Sequence, residues 1–491
     1  MSIRTIAALA AATVLGLTAC GGDNSSPTAG GTAPETATLA PASSALFVSV
    51  DTDFDGAQWQ QAQTLLEKFP ARDKVIDQLE TALADEQVDF ERDVVPAVGP
   101  EVGLVGFDLT SDDPPVVLFT KSPDTAKLKT LLAKGDNPVV TREVDGWTVA
   151  AETAAELDRF DRERGAGALA DASDFEDALA SVDVDGALLA YVGGAGVQKA
   201  FDQGLREEGA PPGLSAKLGT LRSFVMSASA EENGVRFDQA VALGDDLGLD
   251  TYTPALDEEL PAKPLFFLSA ANLDTLVRKG LDLASTSVPN FSEQRAQVEK
   301  ALGLSLEKDV LPLISGEVAL ALYGVASGDI PVTVDVLVAV DDEADARRLM
   351  ERLGALLELG DSGTTTKLQI GGVQATELTF AGQDVSVFWL VDDGKLQLST
   401  SRAGLEALQA SSPRLADDAA YKDALDASGA PGEVIGLAYA DLRTAVPFFV
   451  SLEGEDVDAD TRANLEPLQS VVASVTQDGD VVRTSGFLGI G

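Results

Sequence analysis

The sequence predicts an α+β protein with two tandem homologous domains, each a largely antiparallel sheet with helices packed on one face. Two observations predict this fold. Stretches in the first half of the chain recur in the second half, and short strand-like runs alternate with helical periodicity and glycine-containing turns. Strands joined by hairpins pair antiparallel, and such a sheet commonly buries one face beneath helices.

The start of the chain has the features of a bacterial export signal. Arg4 precedes an apolar run over residues 6–17, and small residues lead to Cys20, the single cysteine. The run is shorter than the roughly 20 apolar residues that a transmembrane helix needs. We therefore interpret residues 1–19 as a signal peptide.

Residues 17–20 (LTAC) resemble the lipobox of bacterial lipoproteins. The resemblance implies cleavage before Cys20 and a diacylglyceryl thioether on its sulfur, which makes Cys20 the predicted lipidation site. Two acyl chains hold a protein stably on a bilayer. We therefore expect an extracytoplasmic protein on a bacterial cell membrane, with the bilayer as its partner through this anchor. The alternative is an ordinary secretory peptide that ends near a cysteine.

Residues 20–41 form the predicted lipidated tether. They are rich in Gly, Ser, Thr, Ala and Pro and contain too few apolar side chains to form a core. Such a segment behaves as a flexible linker of modest reach.

The body of the chain repeats. Residues 91–96 (ERDVVP) and 307–312 (EKDVLP) share a pattern, and each is followed at the same offset by Glu-Val-x-Leu, at 101–104 and 317–320. Both copies end in a hairpin-like turn, at 232–234 and 478–480, where glycine supplies the positive φ of tight turns. The second copy has an additional hairpin-like stretch over 367–380. We predict domains at 42–244 and 262–491, joined by an acidic linker at 245–261.

The body also resembles an uncharacterised family of bacterial exported proteins, domain of unknown function 3352. The matching motifs are Pro41-Ala42 with Leu46-Phe47-Val48, Gln58-Trp59 with Phe69-Pro70, and Asp93-Val94-Val95-Pro96 with Gly99-Pro100-Glu101. The resemblance covers nearly the whole mature chain. It implies no known activity and transfers no catalytic residue.

Composition excludes several chemistries. The chain has no histidine and only one cysteine, which removes histidine general bases, Ser-His-Asp catalysis, thiol nucleophiles and the common zinc sites. The formal net charge of −45 repels nucleic acid. We therefore expect neither a nucleic-acid partner nor a histidine-dependent enzyme.

One acidic loop partly matches a calcium-binding pattern. Asp51, Asp53 and Asp55 alternate before Gly56, as in the first half of a calcium loop, but Ala62 stands where the closing glutamate belongs. The alternative is a polar strand end that caps the following helix. Asp456, Asp458 and Asp460 match less well. Calcium is thus the only cofactor with any sequence support, and we expect none.

Two further motifs are fragments of catalytic or nucleotide-binding patterns. Ser305 and Lys308 have the Ser-x-x-Lys spacing of penicillin-binding enzymes, but no Lys-Thr-Gly motif accompanies them. Residues 193–196 (GGAG) follow a strand and open a helix, without the full dinucleotide fingerprint. We interpret the first as a helix cap with a surface charge, and the second as a close-packed turn.

Three functions remain open. The first is a non-catalytic binding or scaffold module that is displayed on the membrane and binds an envelope protein or an apolar ligand. The second is a carrier that holds a lipid or other apolar molecule between a curved sheet and its helices. The third is a hydrolase that uses carboxylates, or Ser and Lys, in place of histidine.

Overall fold

The computed structural model describes residues 33–109, 114–134, 138–207, 220–288, 290–325, 331–382, 385–410, 413–452 and 458–491. The chain forms two compact units. The first unit contains the described residues up to Asp246, together with Asp458–Leu468 and Asp478–Gly491. The second unit contains Leu247–Val457 and Gln469–Gln477.

The first unit is built on one antiparallel sheet with the strand order β4-β5-β3-β2-β1-β6-β7-β8-β18. Its strands are β1 (Leu46–Asp51), β2 (Glu101–Gly106), β3 (Val116–Thr120), β4 (Val140–Val144), β5 (Trp147–Ala151), β6 (Leu188–Gly193), β7 (Leu221–Glu231), β8 (Gly234–Leu243) and β18 (Val481–Ile490).

The strands of the second unit also pair antiparallel, in the order β12-β13-β14-β15-β11-β10-β9-β16-β17. Its strands are β9 (Phe266–Ala270), β10 (Val318–Gly324), β11 (Val332–Ala339), β12 (Gly363–Ile370), β13 (Val373–Phe380), β14 (Ser386–Asp392), β15 (Lys395–Ser399), β16 (Gly436–Asp441) and β17 (Leu468–Asp478).

The α-helices lie between these strands in sequence. They are α1 (Ala57–Leu66), α2 (Arg72–Asp85), α3 (Thr125–Leu132), α4 (Ala154–Arg164), α5 (Ser173–Leu179), α6 (Gly194–Glu207), α7 (Leu273–Ser287), α8 (Phe291–Leu302), α9 (Glu343–Leu359), α10 (Arg402–Leu408), α11 (Ala419–Ser428), α12 (Leu442–Leu452) and α13 (Ala459–Leu465).

The two units order their strands alike. In the first unit, the opening strand β1 pairs with β2 on one side and with β6 on the other. In the second unit, the opening strand β9 pairs in the same way with β10 and β16. The additional hairpin predicted over 367–380 is present as β12 and β13. The domain boundaries predicted from the repeat stay a prediction. The compact units divide the C-terminus differently, because β18 belongs to the first unit.

The prediction that helices cover one face of each sheet is wrong. On β3, Phe119 packs in the same hydrophobic cluster as Phe160 of α4. The preceding residue, Leu118, packs with Leu128 and Leu131 of α3 on the opposite face. Side chains alternate along a strand, so a run that is apolar at every position needs cover on both faces. The first four residues of β3, VVLF, form such a run.

The second unit is also covered on both faces. Leu337 and Leu390 pack in the cluster of Leu405 from α10, whereas Val338 and Trp389 pack with Ala346 of α9. Each pair of adjacent residues on β11 and β14 thus serves two separate clusters. Strands β11 and β14 are therefore covered by helices on both faces.

Glycine is required at the two terminal turns for different reasons. Gly479 has a φ of +58°, which favours glycine, as the sequence predicts for a tight turn. The backbone at Gly234 needs no positive φ. A side chain there would instead clash with the carbonyl oxygen of Leu488 on β18.

The repeated Glu-Val-x-Leu motif has a structural cause. The Glu101 carboxylate accepts the backbone N–H groups of Glu35 and Thr36, both at 3.1 Å, and the Ser49 hydroxyl at 2.6 Å. Glu317 does the same in the second unit. It accepts the N–H of Ala255 at 3.0 Å, the N–H of Leu256 at 3.2 Å and the Ser269 hydroxyl at 2.7 Å.

Each glutamate thereby ties the 3₁₀ turn that precedes the opening strand (Glu35–Thr38 or Leu256–Glu258) to the sheet. The amides at the start of such a turn lack partners within the turn, so a half-buried carboxylate is an effective acceptor for them. We call these two groups the glutamate clamps.

Removing a clamp is predicted to destabilise its unit. Glu317→Ala leaves the amides of Ala255 and Leu256 without their acceptor and should lower the free energy of unfolding by about 2–4 kcal/mol. Urea denaturation followed by circular dichroism measures this change. Glu433→Ala is the matched control, because Glu433 is exposed on the same unit and should shift stability by less than about 0.5 kcal/mol. Equal effects of the two substitutions would contradict the clamp.

Candidate functional site

The predicted lipidation site, Cys20, lies outside the described residues. Among the residues that are described, no helix is both long enough and apolar enough to cross a bilayer.

The candidate calcium residues do not converge. Asp51 ends β1, is half-buried and accepts the backbone N–H of Asp53 at 2.8 Å, while Asp53 and Asp55 are exposed. Burial raises the pKa of the Asp51 carboxyl. Gly56 is the N-cap of α1, without a side-chain cap. Within the described ranges no three carboxylates group together as a metal site. The arrangement gives calcium binding no structural support, and the expectation that no calcium binds here stays a prediction.

The weaker acidic motif has a structural role where it is described. Asp458 caps α13 by accepting the Thr461 amide at 2.8 Å, and Asp460 lies 2.7 Å from the ammonium of Lys74. Asp456 is outside the described residues.

The two motif fragments also have local roles. The Ser305 hydroxyl accepts the backbone N–H of Lys308 at 3.3 Å, and Asp89 accepts that of Arg92 at 2.8 Å at the matching place in the first unit. In the GGAG turn, a side chain at Gly196 would lie 2.8 Å from the Ala45 carbonyl, and one at Gly194 would clash with the Arg222 carbonyl. These glycines permit close packing of backbone on backbone.

A small cavity of about 160 Å³ lies beside α9 in the second unit. Its wall carries charges of both signs, and Arg352 lies 3.9 Å from Asp309 while Arg348 pairs with Asp345. Because its cations face its own carboxylates, the cavity has little net attraction for an ion.

The second unit departs from the first at one buried pair of residues. Counted from the shared Glu-Val-x-Leu motif, the pair Val117 and Ala151 on β3 and β5 corresponds to Asp335 and Ser399 on β11 and β15. Val117 and Ala151 are both fully buried, and Asp335 and Ser399 are each 1 % exposed. A carboxyl group and a hydroxyl thus replace two apolar side chains in the same buried place.

Asp335 is held without a charged partner among the described residues. Its Oδ1 atom has no hydrogen-bond partner there and packs on the helix α10, where a side chain added at Gly404 would lie 2.6 Å away. Burial raises the pKa of the Asp335 carboxyl to about 6, and a hydrogen bond from Ser399 opposes this shift. There is no space for a ligand beside the Asp335 carboxyl, so its effect is on the stability of the second unit.

A second feature of this unit is an open apolar surface on the sheet. Six side chains of the neighbouring strands β10, β9 and β16 share one face because they are directly paired across the strands. We call them the apolar floor: Leu320, Leu268, Ala438, Leu322, Phe266 and Ala440. Leu268 is 41 % exposed, and the other five are half-buried. The opposite face of the same strands is closed, with Phe267 and Ala319 fully buried.

The helices that follow the opening strand bury fewer of their own residues in the second unit than in the first. In the first unit, α1 buries Trp59, Ala62, Leu65 and Leu66. In the second unit, none of residues 273–285 of α7 is buried, and α8 buries no residue. Large apolar side chains remain exposed on α7, α8 and α12, namely Leu276, Val298 and Phe449. Apolar surface that stays exposed in this way marks a binding site more often than chance.

The sequence analysis missed both features, although each has a sequence signal. Asp335 is the only charge in the run from 332 to 340 (VTVDVLVAV), where the first copy has VVLFT. Leu268 closes the run 265–268 (LFFL), which is apolar at every position and therefore presents apolar side chains on both faces of its strand.

The buried Asp335 predicts a pH-dependent stability. The pKa of the Asp335 carboxyl rises from an ordinary 3.8 to about 6 on folding. The stability that this shift contributes is therefore fully present below pH 4 and is lost as the pH rises to about 6. The loss should be about 3 kcal/mol. The double variant Asp335→Val with Ser399→Ala, which restores the pair of the first unit, should remove this part of the pH dependence and be more stable at pH 7.

Urea denaturation at pH 4 and pH 7 measures the free energy of unfolding of the wild type and of the double variant. The difference between the two proteins isolates the effect of Asp335 from that of the other acids. Asp341→Asn, an exposed carboxylate of the same unit, is the control and should leave the difference between the two pH values unchanged. The same pH dependence in the wild type and the double variant would contradict the assignment.

Comparisons with known proteins place the chain in a family. The model for "Protein of unknown function (DUF3352)" matches residues 3–154 and 158–488. No curated protein matches the chain. Among solved structures, crystal form IV of TP0453 matches with 9 % identity and a TM-score of 0.24, over 46 % of this chain and 76 % of that one. Crystal form I of TP0453 matches with 8 % identity and a TM-score of 0.22, over 45 % and 81 %. Neither likeness carries an argument about this chain. Since the family model covers almost its full length, the chain belongs to the DUF3352 family of proteins of unknown function.

Proposed function

We propose that this protein is a membrane-anchored extracytoplasmic lipoprotein of the bacterial cell membrane, whose body is a non-catalytic binding or scaffold module. The observation that carries the proposal is the apolar floor. A soluble body has no structural need for a half-exposed apolar sheet face, whereas a body that binds a partner does. The lipobox-like residues 17–20 support the anchor.

The non-catalytic part of the proposal is supported by what the candidate groups do. Ser305 accepts a backbone amide as a cap, and the Asp335 carboxyl is enclosed by Gly404. A hydrolase needs a reactive group that faces a substrate. The alternative of a histidine-free hydrolase therefore has no support from these residues.

We further propose that the two units arose by tandem duplication, as the sequence repeat predicts. The corresponding strand orders and the two glutamate clamps support this. A duplicated scaffold can keep one copy's stability while the other copy diverges, and the buried pair at Asp335 is such a divergence.

A second candidate function is a carrier for a lipid or other apolar molecule. The apolar floor favours it specifically, because an apolar ligand needs apolar surface that the protein itself does not fill. A carrier can also be anchored to the membrane. The two candidate functions therefore share the anchor and differ in the ligand that is bound.

The anchor is tested with Cys20→Ser in the full-length chain. Wild-type protein expressed in a bacterium that processes lipoproteins should incorporate labelled palmitate and sediment with membranes, because the thioether on Cys20 holds two acyl chains. Cys20→Ser should take up no label and leave the membrane fraction, while Ser25→Ala in the same tether should behave as wild type. An unlabelled wild type together with a membrane-bound Cys20→Ser variant would refute the lipoprotein assignment.

A further inference from the structure

We infer that the apolar floor of the second unit is the binding site for one hydrocarbon chain of a lipid. The inference rests on the proposed binding function and names the class of ligand. It is argued from the chemistry of the floor, from its backbone and from its size.

The floor offers a ligand only apolar groups. The pairs Leu320 with Leu268 and Leu322 with Phe266 form its centre, and none of its six side chains has a polar atom. The same rows continue on β17 with Ala473 and Val471, which are apolar and half-buried, whereas on β11 Val336 packs against the cluster beneath α9. Protein interfaces carry about one hydrogen bond per 100–200 Å². A surface of this size without donors or acceptors therefore suits a hydrocarbon better than a protein.

The backbone beneath the floor is fully paired. Strand β9 has β10 on one side and β16 on the other, so Leu268 lies on a central strand and not at an edge. Peptides that bind sheets do so by adding a strand at an exposed edge. That mode is closed here, which leaves contact with side chains as the only means of binding.

The dimensions of the floor match a single lipid chain. Four strands from β10 to β17 at about 4.8 Å spacing span about 14 Å. A bilayer's hydrocarbon core is about 30 Å thick, so each lipid chain extends for about 15 Å. One chain laid across the strands is therefore about as long as the floor is wide. The net charge of −45 disfavours an anionic headgroup, so a zwitterionic or uncharged lipid fits best.

The test measures binding of radiolabelled palmitoyl lysophosphatidylcholine, a zwitterionic lipid with one chain, below its micelle concentration. The protein is the full-length Cys20→Ser chain, which has no acyl chain of its own at the anchor. Equilibrium dialysis should show saturable binding near one lipid per protein. Leu268→Glu should weaken this binding at least tenfold, because it places a charge at the centre of the floor.

Leu359→Glu is the matched control. Leu359 is 82 % exposed at the end of α9 and lies outside the floor, so this variant makes the same chemical change and should bind as the parent does. Since Leu268 is already 41 % exposed, the glutamate should be tolerated, and an unchanged urea midpoint verifies the fold. Leu268→Met, which keeps the site apolar, should retain binding.

Three outcomes would overturn the inference: no binding by the parent chain, equal binding by Leu268→Glu and the parent, or equal loss in Leu268→Glu and Leu359→Glu. Sedimentation with phosphatidylcholine vesicles without uptake of the monomeric lipid would also overturn it, in favour of docking on a bilayer. These results are independent of the palmitate-labelling experiment. A failure of lipid binding leaves the anchored display role standing, and a failure of labelling leaves the floor as a lipid site.

Discussion

The burial of a single carboxylate beside the opening strand is the interaction on which each unit depends. Glu101 and Glu317 accept the amides of the 3₁₀ turn before that strand and the hydroxyl of a serine within it. Buried amides without an acceptor are costly, so the turn can close over the sheet only when the carboxylate is present. The clusters around Phe47 and Phe267, which contain residues of these turns, lie beneath this closure.

Two features of the second unit leave favourable interactions unrealised, and they do so differently. Asp335 introduces a carboxyl into a buried pair that is apolar in the first unit, and no ionic partner offsets it in the described part of the chain. The apolar floor leaves favourable burial unrealised, since Leu268 remains 41 % exposed and α7 buries none of its residues 273–285. A protein can retain features that lower its stability when they serve a function. Of these two features, the apolar floor is the one that a ligand could cover.

Much of the fold follows from local patterns, and the site does not. The antiparallel pairing, the repeated glutamate motif and the extra hairpin were readable because each depends on residues close in sequence. The one-face prediction failed because β3 opens with the apolar run VVLF, which needs cover on both faces. The floor was missed because an apolar side chain looks the same in a sequence whether it is buried, as Phe267 is, or exposed, as Leu268 is.

The amino-acid sequence by itself determined the classes of chemistry that this protein lacks, its acidic charge, its family and the largely antiparallel character of its sheets, because these depend on which residues are present and on their spacing. Only the tertiary structure decided how these residues are used. It left Asp51, Asp53 and Asp55 apart, enclosed Asp335 and exposed Leu268. The reason is physical: burial, pairing and exposure are properties of the packing between distant segments, and no short stretch of sequence contains them.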